Sequence, residues 1–412
     1  MLCATSHIFW QTEQTILEGQ GIKEDEIREY WKKNWYKLDS KLLTEEQIYE
    51  QHASLISKLF IIGYYGWDFN SPSSPWAAYI MDDFDGEGSN GGSGKSLLFT
   101  FINQYKSVVT INGRDKSNAG NKFVFADVNS RTRVILFDDF LGNFSDWYQP
   151  ITSGVRVERK SINPFTIPLE KSPKLAFTTN GVGDTQQSSQ RRQIRSTCSS
   201  FFHTEGNQFS DTVTPSDFVG TLWDVNYSEA KWRYDDNIFL ECIEEAIPYI
   251  KKSIKIEPPM QRVELRKLRV KIGKVNIEFF DEYFRPGVIT HGDTFIDRKQ
   301  FVEDYRKAIS GKSDYITETD LLERLAKWVA YRSWALAYCP KGIAGWCGDL
   351  KGEYRKSRII QNGIEGIYIA TTANNDPRLS YLKENISPEE EDEQVRQAVE
   401  QLADPLLANT PL

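Results

Sequence analysis

Hydrophobic positions near the start of the chain recur at spacings of three and four. The pattern is clearest over Glu24–Tyr36 and Leu43–Ile62, where Glu, Lys and Gln fill the positions between. This period is that of an amphipathic helix. The Ser- and Pro-rich run Asn70–Pro75 then breaks the pattern. We therefore predict a helical domain over residues 1–70, either as a cap on the next domain or as a collar that joins subunits.

Short apolar runs replace the helical period beyond this break. Trp76–Met81 and Ser107–Ile111 are the first two, and two more begin at Arg133 and Lys174. Continuous apolar runs of this length, separated by polar and helical stretches, are typical of buried parallel strands. Residues 71–205 are therefore predicted to form one α/β domain. The residues that end each strand should meet at one edge of the sheet.

A glycine-rich loop lies between the first strand and the helical run Leu97–Ile102. Such a loop directs backbone N–H groups at phosphates, and the helix N-terminus adds a favourable dipole. Lys95 can reach the β- and γ-phosphates of ATP, and the Ser96 hydroxyl can bind Mg²⁺. A flexible Gly/Ser loop is the alternative, and Ser89 stands where glycine is usual. The predicted nucleotide-binding residues are Ser89, Asn90, Gly91, Gly92, Ser93, Gly94, Lys95 and Ser96.

Acidic and amide side chains follow the later strands. Asp138 and Asp139 end the apolar run that begins at Arg133, and Asn180 follows the next run. After a phosphate loop, the first acid is expected to hold Mg²⁺ and the second to orient or deprotonate the attacking water. Asn180 can hydrogen-bond the γ-phosphate or that water. A simple Asn-Gly turn at this position is the alternative.

Two basic segments accompany these motifs. Alternation over Val155–Ile167, with a turn predicted at Ser161–Pro164, indicates a β-hairpin that is either DNA-binding or merely a solvated edge. Arg191 and Arg192 either stabilise phosphoryl charge in a neighbouring subunit or form a solvated turn. The basic residues of the hairpin are Arg156, Arg159 and Lys160.

The C-terminal part predicts a small α+β domain. Helical periods over Asp297–Ser310 and Thr319–Ala330 precede two β runs joined by Asn362-Gly363, a strong hairpin signal. Helices followed by a hairpin suggest a winged helix, which either contacts phosphates or is purely structural. The candidate DNA contacts are Arg355, Lys356 and Arg358.

Charge and composition narrow the class of protein. The net charge is −8, but residues 383–412 alone carry eight acidic against two basic residues, so the body is near neutral. A basic channel is therefore permitted. No stretch has the roughly 20 apolar residues of a membrane span, and no secretory leader is recognised at the start. Five scattered cysteines favour a reducing cytoplasm, which is the predicted location.

The ordered set of motifs resembles the superfamily three helicases, which are AAA+-like motors, and in particular the helicase portion of poxvirus, phage and plasmid primase–helicases. The resemblance covers roughly residues 10–370. It implies the magnesium and water-activating roles of Asp138 and Asp139, the sensor role of Asn180 and an arginine finger at Arg191 or Arg192. Arg159 and Lys160 would lie in the hairpin that grips DNA inside a central pore. No primase site is recognised, so the chain is either a helicase-only protein or the end of a longer one.

The expected fold class is an α/β P-loop NTPase (AAA+-like) core with an N-terminal helical domain and a C-terminal winged-helix-like α+β domain. The expected segments are 1–70, 71–205, a helical and mixed connecting region 206–290, the winged-helix-like domain 291–372 and an acidic flexible tail 373–412. The expected function is an ATP- and Mg²⁺-dependent replicative DNA helicase. The alternatives are an ATP-switched DNA-binding initiator or scaffold, and a phosphate-loop kinase, which the paired acids and Asn180 disfavour. Expected partners are single-stranded DNA, origin duplex DNA, further copies in a ring, preferably a hexamer, and a primase or polymerase, but no membrane.

Overall fold

A computed structural model describes most of the chain. The described residues are 2–83, 92–181, 187–202, 223, 227–284, 295–309, 316–332, 335–338, 347–349, 359–361, 364–370, 396–397 and 399. The chain forms two compact units, one of residues 1–260 with 392–412 and one of residues 261–391. Within the described ranges, no helix is both long enough and apolar enough to cross a membrane.

The first unit begins with helices, as predicted. They are α1 (Leu2–Ser6), α2 (Trp10–Gly19), α3 (Glu24–Asn34) and α4 (Glu45–Gly66). Thr44 starts α4 with a reciprocal cap: its hydroxyl accepts from the Gln47 amide, and the Gln47 side chain accepts from the Thr44 amide. The second half of α4 is buried all round, so this helix is part of the core.

A five-stranded parallel sheet forms the centre of the first unit. Its order is β2-β3-β6-β1-β7, and every neighbouring pair is parallel. The strands are β1 (Ala77–Asp82), β2 (Val108–Asn112), β3 (Val134–Asp138), β6 (Lys174–Thr178) and β7 (Gln193–Cys198). All of β1 and β6 is buried, which explains their apolar runs. The mostly parallel α/β fold is thus confirmed and is compatible with a P-loop-like core.

Further elements surround this sheet. The helices are α5 (Lys95–Ile102), α6 (Tyr148–Ser153), α7 (Gln187–Gln190) and α8 (Glu229–Lys251), and a separate hairpin pairs β4 (Val155–Arg159) with β5 (Ile162–Ile167). The hairpin was predicted, but its turn lies at Lys160–Ser161, earlier than expected. Ser161 has φ +61°, and Pro164 lies within the exposed strand β5. Proline is tolerated there because an edge strand need not donate every N–H.

Helices α4 and α8 pack at very short range. A Cβ placed on Gly63 would lie 2.0 Å from the carbonyl oxygen of Cys242, and one on Gly66 would lie 2.5 Å from Ile243. Glycine at these positions therefore sets how closely the two helix backbones approach.

Lys174, the first residue of β6, caps the C-terminal end of α4. Its Nζ donates to the carbonyl of Tyr64 at 2.5 Å and to that of Trp67, and it lies 4.2 Å from the centre of the Tyr64 ring. Burial lowers the pKa of Lys174 to about 7. The last carbonyls of a helix need donors, and a buried lysine supplies them here.

The second unit combines four helices with an antiparallel sheet. The helices are α9 (Gln261–Ile272), α10 (Lys274–Tyr283), α11 (Arg298–Ile309) and α12 (Glu318–Tyr331). The strands are β8 (Phe295–Asp297), β9 (Ala335–Tyr338), β10 (Cys347–Asp349), β11 (Ile359–Gln361) and β12 (Ile364–Ala370). Their order is β10-β9-β12-β11, with β8 also paired to β12. The two predicted helices and the predicted final hairpin are confirmed.

Candidate nucleotide-binding site

The described end of the glycine-rich loop has the backbone geometry that its sequence predicts. Gly92 and Gly94 have φ of +82° and +91°, in the left-handed region that favours glycine. Gly94 is the N-cap of α5, so the helix begins at Lys95 and its first N–H groups face the loop. Ser89, Asn90 and Gly91 lie outside the described residues.

Lys95 makes a buried ion pair with a residue that the sequence analysis missed. Its Nζ lies 2.5 Å from Oδ1 of Asp82, the last residue of β1, and 3.0 Å from the Ser93 hydroxyl. Ser93 in turn donates to the same Asp82 oxygen. The lysine and the aspartate side chains are only 7% and 5% exposed. The sequence held one signal for Asp82: it is an acidic residue at the end of an otherwise apolar strand, just before the glycine-rich loop.

Ser96 and Asp138 meet where α5 begins and β3 ends. The Ser96 hydroxyl donates to Oδ1 of Asp138 at 2.6 Å, and Thr178 at the end of β6 donates to the same oxygen at 2.6 Å. A hydroxyl and a carboxylate fit Mg²⁺, which takes few protein ligands and keeps waters and phosphate oxygens. Among the described residues, no group of three or more His, Cys, Asp or Glu forms a separate metal site.

Asp139 is held from three sides. Its backbone N–H donates to the Thr178 hydroxyl at 3.1 Å, and Asn180 Nδ2 donates to its Oδ1 at 3.0 Å. Arg114 donates to its Oδ2 from Nε at 3.0 Å and from Nη2 at 2.7 Å. Asp139 also has φ +58°, an uncommon conformation for a residue other than glycine. These contacts fix the direction of its carboxylate.

Arg114 reaches Asp139 because the loop after β2 lies directly against the end of β3. The Gly113 amide donates to the Asp138 carbonyl at 2.6 Å, and a Cβ on Gly113 would lie 2.7 Å from the Phe140 Cα. Only glycine permits this approach. Arg114 was not predicted, and the only signal was a polar loop that follows a strand next to β3.

The two candidate finger arginines lie at the opposite end of the sheet from Lys95. Gln193, which follows them, pairs with Ala77 at the start of β1, whereas the loop follows Asp82 at its end. At about 3.3 Å per residue, this separates them by roughly 16 Å along the strands. Arg192 lies 4.5 Å from the Tyr148 ring centre and donates to the Ser188 carbonyl at 2.8 Å, whereas Arg191 is exposed.

The hydrogen bonds and ion pairs described for the basic hairpin go to residues other than Lys95, Ser96 and Asp138. Arg159 donates from Nε to the Ala126 carbonyl and from Nη2 to the Val128 carbonyl, both at 2.7 Å. Arg156 pairs with Glu158 at 2.8 Å, and Lys160 is exposed at the turn. Arg355, Lys356 and Arg358 lie outside the described residues.

Comparison with known proteins gives little beyond this geometry. No protein-family model matches the chain, and no curated protein matches it. Among solved structures, the chain is similar to one described as the apo A form of the NrS-1 C-terminal region, at 12% identity and a TM-score of 0.26. The match covers 67% of this chain and 58% of that one. At so low a TM-score, the likeness establishes neither a common fold nor an activity.

Proposed function

We propose that the chain is an ATP-dependent replicative DNA helicase of a phage, plasmid or other mobile element, which moves single-stranded DNA through a ring of subunits. The observation that carries the ATPase part is the meeting of Lys95, Ser96 and Asp138 at the carboxyl edge of a parallel sheet. A helix N-terminus, a lysine and a hydroxyl–carboxylate pair are the parts needed to hold Mg²⁺ and a triphosphate.

Each group at this edge has a chemical task in the proposal. Lys95 binds the β- and γ-phosphates, and Ser96 and Asp138 hold Mg²⁺, which neutralises phosphate charge when bound. Asp139 orients the attacking water and accepts its proton. Asn180, which donates to Asp139 at 3.0 Å, fixes that carboxylate and senses the γ-phosphate. Catalysis then consists mainly of positioning and electrostatic stabilisation.

The arginine finger acts in a neighbouring subunit. Because Arg191 precedes β7 at the end of the sheet remote from Lys95, it is badly placed for its own site. Its exposure leaves it available to another copy, whereas the guanidinium of Arg192 is used inside the chain. A closed ring, with a hexamer as the preferred size, would supply one finger to every site.

DNA handling is assigned to the hairpin and to the second unit. The step from ATPase to helicase rests on the resemblance of the ordered motifs to superfamily three helicases. Lys160 is the exposed base of the hairpin turn, and Arg159 braces the hairpin against residues 126 and 128. Antiparallel strands in the order β8-β12-β9 support a winged-helix-like second unit, in which β8 precedes helices α11 and α12 while β9 and β12 follow them.

Phosphate release, measured with and without single-stranded DNA and over a range of protein concentration, tests the proposal. We expect stimulation by DNA that rises with concentration, and loss of activity in Lys95→Ala. Unwinding of a forked duplex should require ATP, and Lys160→Ala should lose unwinding while it keeps ATPase. DNA-independent turnover at constant specific activity, with no unwinding, would contradict the helicase.

A second function is favoured by one contact. Both Oδ2 hydrogen bonds of Asp139 come from Arg114, so the carboxylate expected to activate water is already engaged. Slow hydrolysis would suit an ATP-switched DNA-binding initiator or scaffold. ATP-dependent assembly on DNA without strand displacement would favour this function over the helicase.

A further inference from the structure

The ammonium group of Lys95 already has an anionic partner inside the protein. Asp82 Oδ1 lies 2.5 Å from Nζ, and both side chains are buried. Two opposite charges at this distance and burial attract each other far more strongly than a surface pair does. In the proposed function, the same ammonium group must bind the phosphates of the nucleotide.

We propose that Asp82 competes with the nucleotide for Lys95 and so sets the affinity of the site; this rests on the proposed function. A carboxylate that remains beside the bound phosphates would repel them. Binding therefore requires that Lys95 exchange one anion for another. The affinity for nucleotide is lowered by the free energy of the Lys95–Asp82 pair that is given up.

The geometry identifies the partner that moves. Asp82 is fixed in β1, because it pairs in register with Cys198 of β7, and the Asp83 amide donates to the Cys198 carbonyl at 2.8 Å. Lys95 has a long flexible stem and can turn toward the phosphates. When it leaves, the Ser93 hydroxyl still donates to Asp82, so the buried carboxylate keeps a hydrogen-bond donor.

Asp82→Asn tests the exchange because it removes the charge and keeps the shape and an oxygen acceptor. We expect the Kd for a fluorescent ATP analogue, measured by titration with Mg²⁺, to fall about tenfold, which corresponds to about 1.4 kcal/mol. The nucleotide-free variant should melt at a lower temperature than the wild type, since Lys95 loses its counter-ion. Its gain in melting temperature on adding ATP should be larger.

The matched control is Glu170→Gln, which makes the same charge change at an exposed residue just before β6, at the other end of the sheet. Its Kd should equal that of the wild type. AMP lacks the phosphates that Lys95 reaches. The wild type and Asp82→Asn should therefore bind AMP with the same Kd. If Asp82→Asn does not fold, Asp82→Ser, which keeps a small hydroxyl, replaces it with the same expectation.

The possible outcomes distinguish failure of the proposed competition from failure of the proposed ATPase function. A wild type that binds ATP, with an unchanged or higher Kd in folded Asp82→Asn or Asp82→Ser, would overturn the competition and leave the ATPase standing. Absence of ATP binding by the folded wild type and by both folded variants would refute the nucleotide site and the inference together. A nucleotide affinity that appears only in the variants would support the competition in its strongest form.

Discussion

The Ser96 hydroxyl lies 2.6 Å from Oδ1 of Asp138, although the two residues are 42 positions apart in the chain. Ser96 lies in the first turn of a helix and Asp138 ends a strand, and a parallel sheet with the loop at its carboxyl edge brings them together. This contact is the basis for assigning the pair to Mg²⁺.

Removal of the Ser96 hydroxyl should therefore weaken magnesium binding. In Ser96→Ala, we expect the Mg²⁺ concentration for half-maximal ATP hydrolysis to rise about 10- to 100-fold, in the range seen when the support of a metal site is lost. Thr100→Ala is the control, because that hydroxyl, one turn further along α5, donates to the Ser96 carbonyl at 3.2 Å. An unchanged magnesium requirement in Ser96→Ala would remove the serine from the site.

Asp139→Asn should separate chemistry from binding. The amide keeps the shape, and its one oxygen can still accept from Arg114 or from Asn180, which use different oxygens of Asp139, but it cannot take a proton from water. We expect kcat for ATP hydrolysis to fall about 10²- to 10⁴-fold, the usual contribution of a general base. The Kd for ATP, measured by titration of the same sample, should change less than threefold. A variant that retains most of its kcat would show that another group activates the water.

Strand ends explain how much of this site could be predicted from the sequence. Asp138 and Asn180 follow apolar runs, and parallel strands bring such residues to one edge whatever the side-chain packing. Asp82 and Arg114 were missed because their roles depend on contacts with particular side chains. The pairing of an acid with Lys95, or of a loop arginine with Asp139, depends on side-chain directions that no periodicity encodes.

Arg159 illustrates the same limit for the hairpin. A basic run predicts exposed charge, yet its guanidinium donates to carbonyls 31 and 33 residues away in sequence. The fold class was predictable because burial imposes the length and period of each apolar run. The structural use of one arginine was not, since it depends on where a distant loop passes.

Gly63→Ala should destabilise the first unit. The added methyl would lie 2.0 Å from the Cys242 carbonyl oxygen, so α4 and α8 would have to separate. Overpacking of this kind costs about 1–3 kcal/mol, measured as the free energy of unfolding in urea.

Gly19→Ala is the matched control, because nothing lies within 4 Å of its added methyl. That variant should be neutral or more stable, by up to about 1 kcal/mol. Equal stabilities would contradict the packing of the two helices.

Lys174 should make stability depend on pH. Burial lowers its pKa to about 7 in the folded chain, against 10.5 for the ordinary group. Between pH 7 and 10.5 the unfolded chain therefore binds more protons than the folded one, and stability rises with pH, by up to about 1.4 kcal/mol per unit. Below pH 7, this contribution no longer changes.

Lys174→Met isolates this contribution. Between pH 7 and 8.5, the free energy of unfolding of the wild type should increase with pH more steeply than that of Lys174→Met. Lys171→Met, which changes an exposed lysine three residues earlier, should follow the wild-type pH dependence. Parallel curves for the wild type and Lys174→Met would mean that Lys174 stays charged in the folded chain.

Subunit mixing tests whether Arg191 completes the site of a neighbour. Lys95→Ala and Arg191→Ala should each lose ATP hydrolysis alone. In a mixture, a subunit with intact Lys95 can meet a neighbour with intact Arg191, so part of the activity should return. Lys95→Ala mixed with Asp138→Asn is the control. Both changes damage residues that one chain supplies to its own site, so no arrangement of these two subunits restores a whole site.

If activity fails to return in the mixture of Lys95→Ala with Arg191→Ala, in rings shown to exchange subunits, the arginine finger lies elsewhere. Recovery with Arg192→Ala in place of Arg191→Ala would assign it to the arginine that packs on Tyr148.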